Sequence, residues 1–228
     1  MLLNSLQSGD IQTFIISIML SLPIILLSLS VHETAHGYAA YKLGDPTAYN
    51  LGRLTLNPLK HLDPIGFICM MLFGFGWAKP VPINTRYFKK PKRDMAITGA
   101  AGPISNLLLA VIFAILLGLE LKLANAIVSS GANITDKTAM AFFWIQQFLM
   151  IGVQLNITLA VFNLIPVPPL DGSRLFFAVI PSKLYWKIMQ YERYIYLVMI
   201  LALFLGVFDR PISIISNFIF DLLVKIFV

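Results

Sequence analysis

Residues 11–41 form an apolar run that carries the sequence His32-Glu33-Thr34-Ala35-His36 inside it, interrupted otherwise by serines and Pro23. The run is long enough to cross a hydrocarbon core of about 30 Å. Imidazoles and a carboxylate at that depth are expensive unless they face a partner or a wet cavity. This one segment therefore asks for a membrane-spanning helix whose polar face is turned into a bundle. The composition agrees: of 228 residues, 58% are hydrophobic and 12% charged, and the mean hydropathy is +0.80, well above what a soluble domain needs for its core. The first ten residues hold no Lys or Arg and end in Asp10, unlike the basic start of a secretory signal, so the segment is expected to be retained.

The pattern predicts a single all-α polytopic membrane domain over residues 1–228, with about five to six transmembrane helices. The spans fall at about 11–41, 95–119, 138–165, 194–208 and 212–227. The last two are short and meet at Asp209-Arg210-Pro211, so they could form one helical hairpin. Between the first two long spans, residues 65–78 are apolar and glycine-containing but too short for a comfortable helical crossing. This stretch, with the residues to 81, is expected to be re-entrant.

The formal charge of +6 fits membrane orientation better than nucleic acid, because no basic helix or aromatic platform separates from the apolar segments. With the amino terminus outside, Lys42, Arg53, Lys60, Lys79, Arg86, Lys89, Lys90, Lys92, Arg93, Arg174, Lys183, Lys187, Arg193 and Lys225 fall inside, and only Lys122, Lys137 and Arg210 outside. Such a division is the positive-inside pattern, and it predicts a multi-pass protein of the cell membrane. The basic run 86–93 reads as part of this signal. Trp77 and Tyr87 read as interfacial anchors.

In His32-Glu33-Thr34-Ala35-His36 the imidazoles are four positions apart, one helical turn, so both can reach one ion. Glu33 stands beside them without being needed as a ligand and could take a proton from a water activated by the metal. One cysteine, Cys69, rules out a thiolate cluster, so any metal must rest on His, Asp or Glu. A catalytic zinc commonly takes three protein ligands. Among the acids that could supply the third, Asp171 has the most conspicuous setting. It closes the run Asn163-Leu164-Ile165-Pro166-Val167-Pro168-Pro169-Leu170-Asp171-Gly172, where three prolines forbid a regular helix and Gly172 permits a sharp turn. Irregular backbone at membrane depth is tolerated where it is buried or lines a cavity. The first and third long spans both run inward, so His36 and Asp171 lie near the same face of the membrane.

These two signatures together resemble the site-2 protease family of intramembrane zinc metalloproteases. The likeness continues through Gly52-Arg53-Leu54-Thr55-Leu56-Asn57-Pro58, His61-x-Asp63-Pro64-x-Gly66, Gly76-Trp77-Ala78-Lys79-Pro80-Val81 and Gly102-Pro103-x-x-Asn106, roughly residues 15–180. The resemblance implies one catalytic zinc held by His32, His36 and Asp171, with Glu33 as general base. It further implies hydrolysis of a peptide bond in or near the transmembrane segment of a membrane-protein substrate, as in regulated intramembrane proteolysis. Asn163 is implied to hold substrate or the developing oxyanion, and Pro166, Gly76 and Trp77 to contact substrate. The segment 65–81 is implied to be a re-entrant β-like element to which an unwound substrate adds as a strand. Neither the PDZ insert nor the nucleotide-sensing domain of some relatives is expected.

Two other readings compete. A metal transporter would need ligands spaced along a path through the bilayer, whereas one compact site is present. A membrane-anchored peptidase for soluble substrates would carry its His-Glu-x-x-His helix in a polar domain. His61 is expected to make structural hydrogen bonds, Asn106 to bond across helices or simply to pack, and residues 99–102 to allow close backbone approach.

Overall fold

The computed structural model describes residues 11–66, 69, 78–130 and 135–228. Helix α1 (Ile11–Lys42) is followed by the single turn α2 (Thr47–Asn50), and then by two further long helices, α3 (Pro91–Ser129) and α4 (Asp136–Asn163). Four shorter ones complete the chain: α5 (Asp171–Val179), α6 (Ser182–Met189), α7 (Glu192–Phe204) and α8 (Asp209–Phe227). Local chemistry explains the boundaries. Pro91 opens α3 where its missing N–H costs nothing. Thr135 caps α4 by accepting from the Thr138 N–H, and the prolines after Asn163 end it. Within apolar α1, the Ser21 and Ser30 hydroxyls donate to the carbonyls of Ser17 and Leu26, at 2.7 and 2.6 Å, so neither carries an unmet donor into lipid.

The core lies where α1, α3, α4 and α8 meet, and includes Ile24, Ala110, Phe113, Ala114, Leu117, Leu149, Val153, Ile157 and Leu223. Small residues bring the helices together: a Cβ on Gly152 would come 2.5 Å from the Phe113 ring. In lipid, packing of this kind replaces the hydrophobic drive that water would supply. The opposite face of α3 is apolar and exposed, with Leu108 at 60% and Leu119 at 58%, as a lipid-facing surface should be.

Among the described residues, three helices (α1, α3 and α4) are long and apolar enough to cross a membrane, or four if α7 and α8 count as one broken span. That is fewer than the five to six expected. The reason is local: α7 and α8 pass the length and hydropathy test only together, and they meet at a bend of 74°. The chain's end also moves relative to expectation. A Cβ on Gly118 would meet the Phe227 carbonyl, so α8 finishes beside Gly118, sixteen residues or about 24 Å along α3 from Gly102. Gly102 lies against His32 and His36. Lys225 thus belongs to the opposite end of the bundle from those histidines, and not with the basic residues near them.

The expected re-entrant β-like segment, 65–81, falls mostly outside the described residues. Its base is described: Leu62 and Ala78 form an isolated antiparallel bridge, and the Lys79 N–H donates to the His61 carbonyl at 2.8 Å.

Candidate metal centre

Three helices build one buried point. His32 and His36 project from the same face of α1, and Asp171 is the first residue of α5. The Nε2 atoms of the two histidines lie 3.0 Å apart, and each lies 3.0 Å from Oδ2 of Asp171. The three residues are 6%, 4% and 7% exposed, so this is no chance grouping on a wet surface. Helix α3 forms the wall, where a Cβ on Gly102 would lie 2.4 Å from His36 Nε2 and 2.6 Å from His32 Nε2. Only glycine fits there.

The far side of each imidazole fixes what the near side can do. His36 Nδ1 is 2.7 Å from the Thr98 carbonyl, which can only accept, so the proton sits on Nδ1. The Nδ1–H of His32 donates to Asn106 Oδ1 at 3.1 Å. Both Nε2 atoms therefore present lone pairs toward a carboxylate oxygen, with no proton among the three acceptors in the neutral rings. A cation resolves that arrangement. Tetrahedral zinc with bonds of about 2.0 Å would separate its ligands by about 3.3 Å, close to the separations found, and the three ligand atoms form a group that could hold a metal ion.

Asp171 is tied on both oxygens. Oδ2 meets the histidines, and Oδ1 lies 3.5 Å from Arg174 Nη1 one turn along α5. The approach of α5 to its neighbours depends on two glycines. A Cβ on Gly172 would lie 2.2 Å from the Leu164 carbonyl oxygen, and one on Gly99 would lie 2.9 Å from Arg174 Cβ.

Glu33 stays out of the triangle. Its Oε2 accepts from the Val81 main-chain N–H at 2.9 Å. The neighbouring Thr34 hydroxyl donates to the Thr55 carbonyl at 2.7 Å, and His61 Nε2 donates to the same carbonyl at 2.7 Å. His61, which is 1% exposed, thus plays the structural part expected of it.

Other expected site residues are placed differently. Asn163 is the last residue of α4, and its Nδ2 donates back to the Leu159 carbonyl at 3.0 Å. Pro166 is exposed in the loop that follows. Gly76 and Trp77 lie outside the described residues. Asn106 makes the cross-helix bond that was one of its two expected roles, whereas Gly102 was read only as a packing residue and Thr98 was not singled out. A signal was available: Thr98, Gly102, Asn106, Ala110, Ala114 and Gly118 recur every fourth position and are all buried, a small and polar stripe down one face of an apolar helix.

The model of peptidase family M50 matches residues 20–206. A Bacillus subtilis protein named "Putative zinc metalloprotease YwhC" is 42% identical over 189 residues, covering 83% of this chain and 80% of that protein. A protein of the same designation, Rip2 of Mycolicibacterium smegmatis, is 34% identical over 153 residues, 64% of this chain and 52% of its own length. No solved structure matches the chain at a significant level.

Proposed function

The chain belongs to peptidase family M50, the site-2 protease family, and from that premise we propose that it cleaves membrane proteins in or near their transmembrane segments, as in regulated intramembrane proteolysis. It is a zinc metalloprotease of the site-2 type. The observation that carries the substrate reading is the depth of the centre: its three ligand atoms are buried among the long apolar helices, where a soluble polypeptide would have to leave water to reach them.

In this reading His32, His36 and Asp171 hold the zinc through Nε2, Nε2 and Oδ2. Zinc bound there supplies a Lewis acid for the peptide carbonyl and lowers the pKa of water toward neutrality. Glu33 accepts the proton of the attacking water, and the C–N bond breaks as Glu33 returns that proton to the departing nitrogen. Asn106 and the Thr98 carbonyl hold the imidazoles in the tautomer that the ligand role needs. Asn163 turns from its own helix to hold the substrate carbonyl, and Pro166, Gly76 and Trp77 contact the substrate chain. The pairing of Leu62 with Ala78 supports a segment that leaves and returns on one side, as a re-entrant element beside the site would.

We place the protein in the cell membrane with its amino terminus outside and the centre nearer the cytoplasmic face. Even with Lys225 moved to the outer group, thirteen of the seventeen basic residues lie on the side where α1 ends and α3 begins, which supports this orientation. The test is a comparison of membrane proteomes from cells carrying the wild type or Glu33→Gln. Transmembrane proteins should accumulate uncut with the variant. Identical proteomes would remove the proposed substrate class.

A further inference from the structure

Val81 stands between Pro80 and Pro82. Neither proline has a backbone N–H, so this tripeptide offers a single main-chain donor, and that donor goes to Glu33 Oε2 at 2.9 Å. Pro82 also keeps Val81 out of the helical region and in extended backbone. Val81 is 6% exposed, so water does not readily compete for the bond.

The helix side of the contact is equally specific. Gly37 lies four positions after Glu33, on the same face of α1. A Cβ there would come 2.6 Å from Leu54 Cδ2 and 3.1 Å from Val81 Cγ1. The missing side chain lets the proline-flanked segment lie close enough to α1 for its one donor to reach the carboxylate. The segment is fastened along its length by other bonds: Arg53 Nη2 to the Lys79 carbonyl at 2.7 Å, the Lys79 N–H to the His61 carbonyl at 2.8 Å, and the Asn84 N–H to Asp45 Oδ2 at 2.6 Å.

We infer that the Val81 N–H, with Gly37 as the spacer that admits it, is the positioning group for the proton-transferring carboxylate of Glu33. It occupies Oε2, holds the side chain in one rotamer and leaves Oε1 to take the proton. Val81 and Gly37 are positioning residues in this scheme: they act through Glu33 and touch neither metal nor substrate. The inference rests on the proposed role of Glu33 as base.

Val81→Pro removes the donor while keeping extended backbone, Val81→Ala keeps the donor, and Gly37→Ala crowds the Leu54 and Val81 side chains that line the contact. Misplacing a catalytic group by about 1 Å can cost about 100-fold in rate. Val81→Pro should therefore lower kcat at least about ten-fold, with zinc content and KM little changed, and Gly37→Ala, whose Cβ meets side-chain atoms, should lower it in the same direction by less. Val81→Ala, the conservative variant, should retain kcat to within about three-fold, because the side chain is not what Glu33 binds. An activity-independent readout comes from hydrogen exchange on the zinc-loaded protein in detergent, since the proline-flanked segment carries one exchangeable backbone amide. Glu33→Ala should accelerate exchange at Val81 about ten-fold, the equivalent of one hydrogen bond. Glu33→Gln, which keeps an acceptor oxygen, should not.

Wild-type kcat in Val81→Pro, or unchanged Val81 exchange in Glu33→Ala, would overturn the inference. Should Val81→Pro fail to fold, the exchange comparison decides alone. Full activity of Glu33→Gln would instead remove Glu33 as base, and the Val81 exchange data would still report whether the bond exists.

Discussion

The side-chain oxygen of Asn106 lies 3.1 Å from Nδ1 of His32, so a residue of α3 decides which nitrogen of an α1 histidine faces the centre. Asn106 is fully buried, and its Nδ2 has no partner among the described residues. Among the described residues the amide is therefore held by its oxygen alone.

Loss of that acceptor should weaken zinc binding. Outer partners of metal-bound histidines are commonly worth about 10- to 100-fold in affinity. Asn106→Leu is expected to lose that much in a competition titration against a chromophoric chelator, while Asn106→Asp, which keeps an acceptor, should bind zinc nearly as well as the wild type.

Gly102→Ala should act more severely, because its Cβ would fall 2.4 Å from His36 Nε2, inside van der Waals contact of a ligand atom. Zinc per protein, measured by atomic emission, should drop well below one. Gly118→Ala is the comparison. It crowds the Phe227 carbonyl at the other end of α3, so it should disturb the packing of α8 and leave the zinc content intact.

Chelation should destabilise the fold. An ion that binds only the folded chain adds about 4 kcal/mol when present at a thousand times its dissociation constant. The thermal unfolding midpoint in detergent should therefore fall on adding a strong chelator. In Asp171→Ala, which removes the oxygen lying 3.0 Å from both histidine nitrogens, the chelator should have little further effect.

Asp45 tests the framework rather than the chemistry. It is fully buried and accepts from the Thr47 N–H, the Thr47 hydroxyl and the Asn84 N–H, joining the end of α1 to the chain that leads into α3. Asp45→Ala strands these donors and should cost roughly 2–3 kcal/mol of stability. At low temperature its zinc content should match the wild type.

How much of this was legible in the sequence depended on where each signal resides. The pairing of His32 with His36 follows from a four-residue spacing on a helix, and Asp171 announced itself through the proline run that breaks the chain before α5. Long apolar helices were equally plain, because hydropathy measures what lipid demands. The number of crossings was not, since α7 and α8 are each marginal and meet at a 74° bend, where Gly206 takes a left-handed φ of 67°. Asn106, Gly102 and Thr98 were harder still. Their importance lies in which histidine atoms they meet across α1 and α3, and neither residue type nor local spacing states a contact between helices. Val81 is an extreme case: the group that matters is a backbone N–H, which every residue but proline carries, and only its proline neighbours mark it.

The central claim is that the buried group of His32, His36 and Asp171, with Glu33 beside it, cleaves peptide bonds at membrane depth. It is tested most directly by mapping cut sites. A membrane protein that accumulates uncut in cells carrying Glu33→Gln would be incubated with the purified, zinc-loaded enzyme in detergent, and its products identified by mass spectrometry. The expected result is a cut in or beside the apolar segment with the wild type and none with Glu33→Gln at equal zinc content. Cleavage by Glu33→Gln at the wild-type rate, or cuts confined to a distant soluble region, would contradict it.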